Sequence, residues 1–330
     1  MLKARIIATG SYLPEKVLSN ADLEKIVDTS DEWIVTRTGM KERRIAGDNE
    51  SNSDMGACAG KNALEKSSLK PEDIDFIIVS TITPDFPFPS TACLIQKKLG
   101  LENAAAVDIQ ATCSGYLYAL DMAKAFVESG RYKIILVVAS EKLSSIVDYQ
   151  ERTTCVLFGD GAGACIVSAK GKGLFVESIA LGADGNLDGL IYMPAGGSNE
   201  PASVKTVEER KHFIKMNGKE VFKNAVRRME KASKDCLEEC GLSEKDVEWF
   251  IAHQANDRII EAVGKRFSHL SKKQIYKTIH KYGNTSASSV AIALDELLSE
   301  EKIEGEGRIL LTAFGSGLVW GAAILKPIEE

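Results

Sequence analysis

The chain has 330 residues, of which 44% are hydrophobic and 27% charged, and 41 basic residues face 47 acidic ones. This length and composition indicate a folded protein with a large core or two fused units, rather than a disordered chain. The formal net charge of −6 excludes a globally basic, nucleic-acid-coating protein.

The seven cysteines are scattered, with no Cys-x-x-Cys pair and no His and Cys cluster at metal spacing. This usage favours a reducing cytoplasm and predicts no metal site. Residues 1–10 lack the apolar run of a signal peptide, and no later segment approaches the ~18 apolar residues of a membrane helix. We therefore expect a cytoplasmic protein that binds neither membranes nor nucleic acid.

In chain order, the first half alternates amphipathic helices with short apolar strands. Residues 63–79 read as a helix, a short turn and a buried strand. A strand-like run at 107–109 is followed by a helical pattern that begins at Leu117, with apolar residues at three- and four-residue spacing. A strand at 134–138 comes next, and a Gly-rich turn at 158–167 leads into another apolar strand.

The second half repeats these patterns in the same order. The segment 63–79 recurs at 236–252, an offset of 173 residues, and the helix around Asp121 recurs around Asp295 at an offset of 174. A second Gly-rich turn and apolar strand close the chain.

Continuous apolar strands between amphipathic helices are typical of sheets covered by helices on both faces. We expect an α/β fold of two duplicated halves, residues 1–170 and 171–330, in five layers ordered α-β-α-β-α. Two segments lie outside the repeat, at 14–56 and 182–218. Such loops on a rigid scaffold are where binding usually resides.

Cys113 lies between a predicted strand and a predicted helix. The partial positive charge at a helix N-terminus favours a thiolate and lowers a cysteine pKa from about 8.5 to between ~3.5 and 7.5. Cys113 is therefore a candidate nucleophile. A buried, inert cysteine is the competing interpretation.

The duplication relates two further residues to Cys113. His253 ends a predicted strand at the position equivalent to Ser80, and Asn284 lies in the segment equivalent to that of Cys113. Because equivalent element ends converge at the junction between the halves, we expect Cys113, His253 and Asn284 to share one site. Taken singly, His253 also suits a structural role and Asn284 a turn or helix cap.

Six motifs are specific in combination: Glu32-Trp-Ile-Val-Thr-Arg-Thr-Gly39, Thr112-Cys-Ser-Gly115, Phe158-Gly-Asp-Gly-Ala-Gly163, His253-Gln-Ala-Asn256, Gly283-Asn-Thr-Ser-Ala287 and Ala313-Phe-Gly-Ser-Gly317. With this set the chain resembles the β-ketoacyl-acyl carrier protein synthase III family of the thiolase-like condensing superfamily, over essentially its whole length. The Gly-rich pieces alone are weak signals, because they lack the Lys-Ser/Thr of a phosphate loop.

The resemblance implies a thiolase-like fold and a decarboxylating condensation that initiates type II fatty acid biosynthesis. An acyl-CoA primer, for which we expect acetyl-CoA, and malonyl-acyl carrier protein would give 3-oxoacyl-acyl carrier protein, CoA and CO2. Cys113 would carry the acyl group, and His253 and Asn284 would donate hydrogen bonds to the enolate left by CO2. The backbone N–H groups of Cys113 and Gly317 would hold the tetrahedral oxyanion. No cofactor beyond the CoA thioester is implied.

Asn284, where elongating synthases have a second His, marks the CoA-primed enzymes of this family. Ser316 departs from the Gly that relatives often have. By the same resemblance, Trp33 and Arg152 would stack on the adenine of CoA, and Arg37 would meet its phosphates.

Asn256 would lie along the pantetheine arm, and Phe88 would cross a homodimer interface and limit acyl length. The basic residues Lys223, Arg258, Lys265 and Arg266, with Arg227 nearby, would dock the acidic acyl carrier protein. The plainer interpretations are that Trp33 anchors a helix, Phe88 packs in its loop and the basic residues form a solvated helix face.

Three other functions compete. An acyltransferase of the same fold would move the acyl group from Cys113 to a hydroxyl or amine, but pure acyl transfer forms no enolate for Asn284 to stabilise. A binding subunit without catalysis would not need the intact Cys113, His253 and Asn284. A hydroxymethylglutaryl-CoA synthase-like enzyme would need a catalytic Glu that the sequence does not place.

Overall fold

A computed structural model describes residues 2–301, 303 and 307–328 of the chain. The termini of the two predicted halves, residues 1 and 329–330, lie outside the described residues, as do 302 and 304–306. The strands of the described part are β1 Arg5–Tyr12, β2 Lys16–Ser19, β3 Glu42–Ile45, β4 Phe76–Ser80, β5 Ala105–Ile109, β6 Ile134–Glu141, β7 Gly161–Ser168, β8 Gly173–Ala183, β9 Ile191–Tyr192, β10 Lys215–Met216, β11 Val247–Ala252, β12 Arg308–Gly315 and β13 Val319–Ile328.

Helices alternate with these strands, and 3₁₀ turns link several of the elements. The α-helices of the described part are α1 Asn20–Leu23, α2 Asp31–Thr38, α3 Asn52–Ser67, α4 Thr91–Leu99, α5 Gly115–Glu128, α6 Arg152–Cys155, α7 Val204–Glu208, α8 Gly218–Glu239, α9 Asp257–Gly264, α10 Ile279–Tyr282 and α11 Ser288–Glu300. No helix among the described residues is long and apolar enough to cross a membrane.

The main sheet has the strand order β11-β12-β13-β8-β1-β7-β6-β4-β5. Its centre is the antiparallel pair β1 and β8, and the order of strands outward from that pair is equivalent on both sides. Each side continues with antiparallel strands and ends in parallel pairs, β6-β4-β5 on one side and β12-β11 on the other. An isolated parallel bridge between Phe250 and Ile275 takes the place of a fifth strand beyond β11. This symmetry supports the proposal that the chain is duplicated, with the predicted boundary at 170/171 in the turn between β7 and β8.

Three apolar clusters define the layers. Helices α5 and α11 share the central cluster, which contains strand residues from both sides of the sheet, such as Ile78 and Leu311. Helices α3 and α4 pack on the outside of the first side, and α8 and α9 on the outside of the second. The predicted α-β-α-β-α layering is confirmed. Ile77, Ile78 and Val79 are all fully buried, which explains why the strands read as continuous apolar runs.

Helix α5 begins at Gly115, two residues before the predicted start at Leu117. Gly115 does not belong to the apolar stripe, so the periodicity could not include it. A Cβ at Gly115 would clash with the Ser80 hydroxyl, and the glycine thus allows α5 to start against the end of β4. Helices α5 and α11 start 173 residues apart, which is the offset of the sequence repeat.

Candidate active site

One cavity of about 790 Å³ is lined by residues from both sides of the sheet and from both segments outside the repeat. Cys113, His253 and Asn284 all line it, together with Ser286 and Phe314. Its apolar wall includes Leu143, Ile146, Val156, Leu157, Ile214 and Met229. The three residues that the sequence placed in one site therefore face a common apolar chamber.

Cys113 lies in a 3₁₀ turn, Thr112–Ser114, between β5 and α5. Thr112 has a φ of +41°, a strained value for a β-branched residue, and its hydroxyl donates a hydrogen bond to the Ser316 carbonyl at 3.0 Å. A Cβ at Gly315 would clash with Thr112 Oγ1 and the Cys113 nitrogen. Contacts with the end of β12 thus hold the nucleophile turn in place.

Burial raises the pKa of the Cys113 thiol to about 12, and a hydrogen bond with Ser286 opposes that shift. The prediction of a lowered pKa from the helix N-terminus is therefore wrong. Removing a charged thiolate from water costs more free energy than its interaction with the helix dipole contributes. The resting residue is a neutral thiol that needs a proton acceptor before it can attack.

His253 follows β11 and is 3% exposed. Its Nδ1 lies 2.6 Å from the Ser289 hydroxyl oxygen, and that oxygen accepts the backbone N–H of Gln254 at 3.4 Å. We predict that the Ser289 hydroxyl donates to His253 Nδ1, an arrangement that holds the ring hydrogen on Nε2. Burial lowers the pKa of His253 to about 3, so the imidazole is neutral and Nε2–H can serve as a hydrogen-bond donor in the cavity.

Asn284 follows α10 and is 6% exposed. Its Oδ1 accepts the backbone N–H of Ser286 at 2.8 Å, and its own backbone N–H donates to Leu157 at 2.9 Å. The amide is thereby oriented with its Nδ2 hydrogens left as donors. His253 and Asn284 provide two neutral donors to the same cavity.

Gly317 lies in the turn between β12 and β13 with a φ of +132°, a conformation that favours glycine. Leu318 and Asp184 exchange two backbone hydrogen bonds of 2.8 Å beside it. The Ser316 hydroxyl donates to the Ile191 carbonyl. The side chain at Ser316 therefore has its own partner, in the segment 182–218.

Trp33, Arg37 and Asn256 line the mouth of the cavity, whereas Arg152 contacts Trp33 but does not line the cavity. The guanidinium carbons of Arg37 and Arg152 lie 4.8 Å and 5.0 Å from the Trp33 ring centre. Asn256 caps α9 and donates to the Arg37 carbonyl at 3.0 Å. Arg152 donates to the Asp28 carbonyl at 2.8 Å.

The charged side chains that line the cavity are Arg37, Lys219, Lys223 and Arg258, and no carboxylate of the described residues joins them. This mouth favours an anionic ligand. Of the predicted docking residues, Lys223 and Arg258 are at the mouth.

The remaining predicted contacts lie outside the lining. Lys265 is the C-cap residue that follows α9, and Arg266 pairs with Glu244 at 2.9 Å. Arg227 donates to Asn224 at 2.8 Å. Phe88 is 85% exposed and does not reach the cavity of its own chain.

Ser286 and Ser289 were missed by the sequence reasoning. Ser286 Oγ lies 3.5 Å from Cys113 Sγ. Its position was available, since Ser286 is 173 residues beyond Cys113, the offset of the repeat. Ser289 had no comparable signal, because its contact with His253 depends on how α11 meets the end of β11.

The chain is similar to known proteins over its full length. Two sequence profiles match it, 3-oxoacyl-[acyl-carrier-protein (ACP)] synthase III at residues 107–185 and the C-terminal domain of the same family at 237–327. The β-ketoacyl-[acyl-carrier-protein] synthase III of Chlamydia pneumoniae is 57% identical, covering 99% of this chain and 97% of the relative. That of Caldanaerobacter subterraneus is 54% identical, with 98% of each covered.

A solved structure agrees with these sequence matches. The crystal structure of 3-oxoacyl-[acyl-carrier-protein] synthase III from Aquifex aeolicus superposes with a TM-score of 0.89 at 46% identity, covering 98% of this chain and 99% of that one. The predicted thiolase-like fold and the predicted family are confirmed.

We predict that His253 stays neutral, with its proton on Nε2, down to pH 5, because its pKa is about 3. Nitrogen-15 chemical shifts of the histidine rings measure both properties. Ser289→Ala should mix the tautomers, and Ser288→Ala should not, because the Ser288 hydroxyl donates to the Thr285 carbonyl on the same turn. A His253 titration with a midpoint near 6.5 would contradict the assigned environment.

Proposed function

The chain belongs to the 3-oxoacyl-[acyl-carrier-protein] synthase III family, and we propose that it condenses an acyl-CoA primer with malonyl-acyl carrier protein. The products are 3-oxoacyl-acyl carrier protein, CoA and CO2. This condensation is the first step of fatty acid synthesis. The observation that carries the proposal is the convergence of Cys113 with two neutral donors, His253 and Asn284, on one apolar cavity with a basic mouth.

In the first half-reaction the Cys113 sulfur attacks the primer thioester, and CoA leaves. A covalent acyl-enzyme divides one difficult condensation into two easier steps. We propose that the backbone N–H groups of Cys113 and Gly317 bind the tetrahedral oxyanion. The contacts that hold the nucleophile turn against the end of β12 support this pairing.

In the second half-reaction malonyl-acyl carrier protein loses CO2, and negative charge develops on its thioester oxygen. We propose that His253 Nε2–H and Asn284 Nδ2–H stabilise that charge. The burial of both side chains and their contacts with Ser289 and Ser286 support these roles. The enolate carbon then attacks the acyl-Cys113 carbonyl. An acyltransferase that moves the acyl group to a hydroxyl or amine forms no enolate, so this donor pair would have no charge to stabilise. That alternative is not favoured.

We propose that CoA enters past Trp33, with Arg37 near its phosphates, Arg152 and Trp33 on its adenine and Asn256 on the pantetheine arm. The cation–π contacts of Trp33 support this arrangement. The primer we expect is acetyl-CoA. Thioester exchange and decarboxylation need no redox step, so the proposal includes no cofactor beyond the CoA thioester.

We propose a homodimer in the cytoplasm. Phe86 and Phe88 are exposed at the tip of one loop, and the terminal strand β5 leaves one edge of the main sheet unpaired. In a dimer Phe88 would reach the partner's acyl pocket. The described cysteines are all free, which suits a reducing compartment.

Asn284→Ala should separate the two half-reactions. We expect decarboxylation of malonyl-acyl carrier protein to fall by about 10²- to 10³-fold, as for the loss of one oxyanion donor, while acylation by acetyl-CoA changes little. Release of CO2 and intact-protein mass measure the two steps. Asn62→Ala, whose amide donates to the Ser11 carbonyl away from the cavity, is the control. An equal loss in both steps would remove the role given to Asn284.

The basic mouth should matter for the carrier protein. Arg258→Glu combined with Lys223→Glu should raise KM for malonyl-acyl carrier protein by about tenfold at low salt, because charge complementarity steers association. Lys231→Glu, on the same helix α8 as Lys223 but outside the cavity lining, should have little effect. If acylation by acetyl-CoA suffers as much as the carrier reaction, these residues are not carrier-specific.

A further inference from the structure

Arg43 is a fully buried arginine without an anionic partner. Its side chain is 0% exposed, and no carboxylate of the described residues forms an ion pair with it. The guanidinium instead donates to the Leu18 carbonyl at 3.1 Å, the Asn20 side-chain oxygen at 2.8 Å and the Val156 carbonyl at 2.7 Å. Removing a charge from water is costly, and an apolar side chain of similar volume avoids that cost. The guanidinium therefore indicates a task in which its directional hydrogen bonds matter.

One side of the guanidinium is fixed by the first segment outside the repeat. Leu18 lies opposite Arg43 in the hairpin of β2 and β3. Asn20 is 2% exposed, and its amide nitrogen donates to the Asp31 carboxylate at 2.8 Å and to the Met40 carbonyl at 2.9 Å. With its nitrogen so engaged, the Asn20 amide presents its oxygen to Arg43. Asp31 is the first residue of α2, so Arg43 is anchored to a helix that contributes to the cavity mouth.

The other side of the guanidinium holds the turn that pairs with Asn284. Arg43 Nη2 donates to the Val156 carbonyl, and the carbonyl of the next residue, Leu157, accepts the backbone N–H of Asn284 at 2.9 Å. The backbone N–H of Gly159 donates to the Asn284 carbonyl at 3.0 Å. The turn therefore pairs with the Asn284 backbone on both sides, as in a parallel bridge. A short stretch of backbone connects the guanidinium to the proposed enolate donor.

Two glycines allow this close packing around Arg43. A Cβ at Gly159 would lie 3.0 Å from Arg43 Cβ, and one at Gly283 would lie 3.2 Å from the same atom. The Cβ at Gly159 would also clash with the Tyr282 carbonyl. Both distances are shorter than an optimal carbon–carbon contact. These positions explain two glycines of the Gly-rich motifs that the proposed chemistry does not use.

The other two active-site residues have supports of their own. Contacts from Thr112 and Gly315 hold the Cys113 turn against the end of β12, and His253 lies against Ser289 of α11. The hydrogen bonds of Arg43 reach neither group, and Arg43 does not line the cavity. Arg43 is thus connected to one half of the proposed donor pair only.

We infer that Arg43 is a positioning residue for Asn284. Its hydrogen bond to Val156 sets the turn that fixes the Asn284 backbone, and thereby the direction in which the Asn284 amide meets the enolate. The inference rests on the proposed role of Asn284 in the second half-reaction. Lysine does not replace Arg43 in this task, because one ammonium on a flexible stem does not bridge the same acceptors as a rigid, planar fork.

Arg43→Lys should separate the half-reactions, because it keeps the charge and loses the fork. We expect decarboxylation of malonyl-acyl carrier protein to fall by about 10- to 10²-fold, since misplacing a positioned group by about 1 Å costs up to about 10²-fold. Acylation by saturating acetyl-CoA should change little, because the Cys113 turn keeps its supports. Release of CO2 and the mass of the intact protein measure the two steps.

Arg44→Lys is the matched control. Arg44 is the next residue of β3, and its side chain donates to the Pro14 carbonyl at 3.3 Å rather than to the turn beside Asn284. The same substitution one residue along the strand should leave both half-reactions unchanged.

A double-mutant cycle with Asn284→Ala distinguishes positioning from a general structural role. If Arg43 acts through the Asn284 amide, Arg43→Lys should cause no further loss of decarboxylation once that amide has been removed. A residue that only joins the first segment outside the repeat to the rest of the fold would cause the same loss in both backgrounds.

A second variant tests the same contact if Arg43→Lys does not fold. Gly159→Ala places a methyl group against Arg43 and the Tyr282 carbonyl, which displaces the turn from the Asn284 segment. It should reproduce the selective loss of decarboxylation, and this loss should also disappear in the Asn284→Ala background. Gly197→Ala, whose added methyl group meets no atom within 4 Å, is its control.

A selective loss of decarboxylation in Arg43→Lys that disappears in the Asn284→Ala background supports the inference. No loss, an equal loss in both half-reactions, or an undiminished loss in that background overturns it while the proposed function stands. If Arg43→Lys does not fold, the same outcomes in Gly159→Ala decide. If wild type releases no CO2 from malonyl-acyl carrier protein, the proposed function fails as well, and the two failures are thereby distinguished.

Discussion

The contact between Cys113 and Ser286 is the point on which the site depends. Two turns that lie 173 residues apart meet there, each just before a central helix, α5 or α11. Both turns contain a residue with positive φ, Thr112 in one and Ser286 in the other. Because the central layer brings the two helix starts together, a thiol from one side of the fold faces donors from the other. Loosening that layer would separate the nucleophile from its partners.

Burial sets the protonation states in this cavity. It raises the pKa of the Cys113 thiol and lowers that of the His253 imidazole, so both groups are neutral at pH 7. Neutral donors suit a reaction whose intermediates are an oxyanion and an enolate, since they need no reorganisation when charge develops. The cost is that the thiol does not ionise by itself.

The sequence predicted the layers and the grouping of three residues but not the chemistry of the pocket walls. Periodicity and the repeat offset are properties of the chain, so they placed His253 and Asn284 beside Cys113. The thiol pKa was predicted in the wrong direction, because burial depends on β12 and α11, which are remote in sequence. The start of α5 was missed because Gly115 allows close packing without adding to the apolar stripe.

The most direct test of the account is to identify which cysteine becomes acylated. The chain has seven cysteines, and Cys93 is exposed whereas Cys113 is only partly so. After incubation with isotope-labelled acetyl-CoA and proteolysis, peptide mass spectrometry should find the label on Cys113 at one acyl group per chain. Label on Cys93 or Cys58, or label that persists at the same level in Cys113→Ala, would contradict the assignment of Cys113 as the acyl carrier.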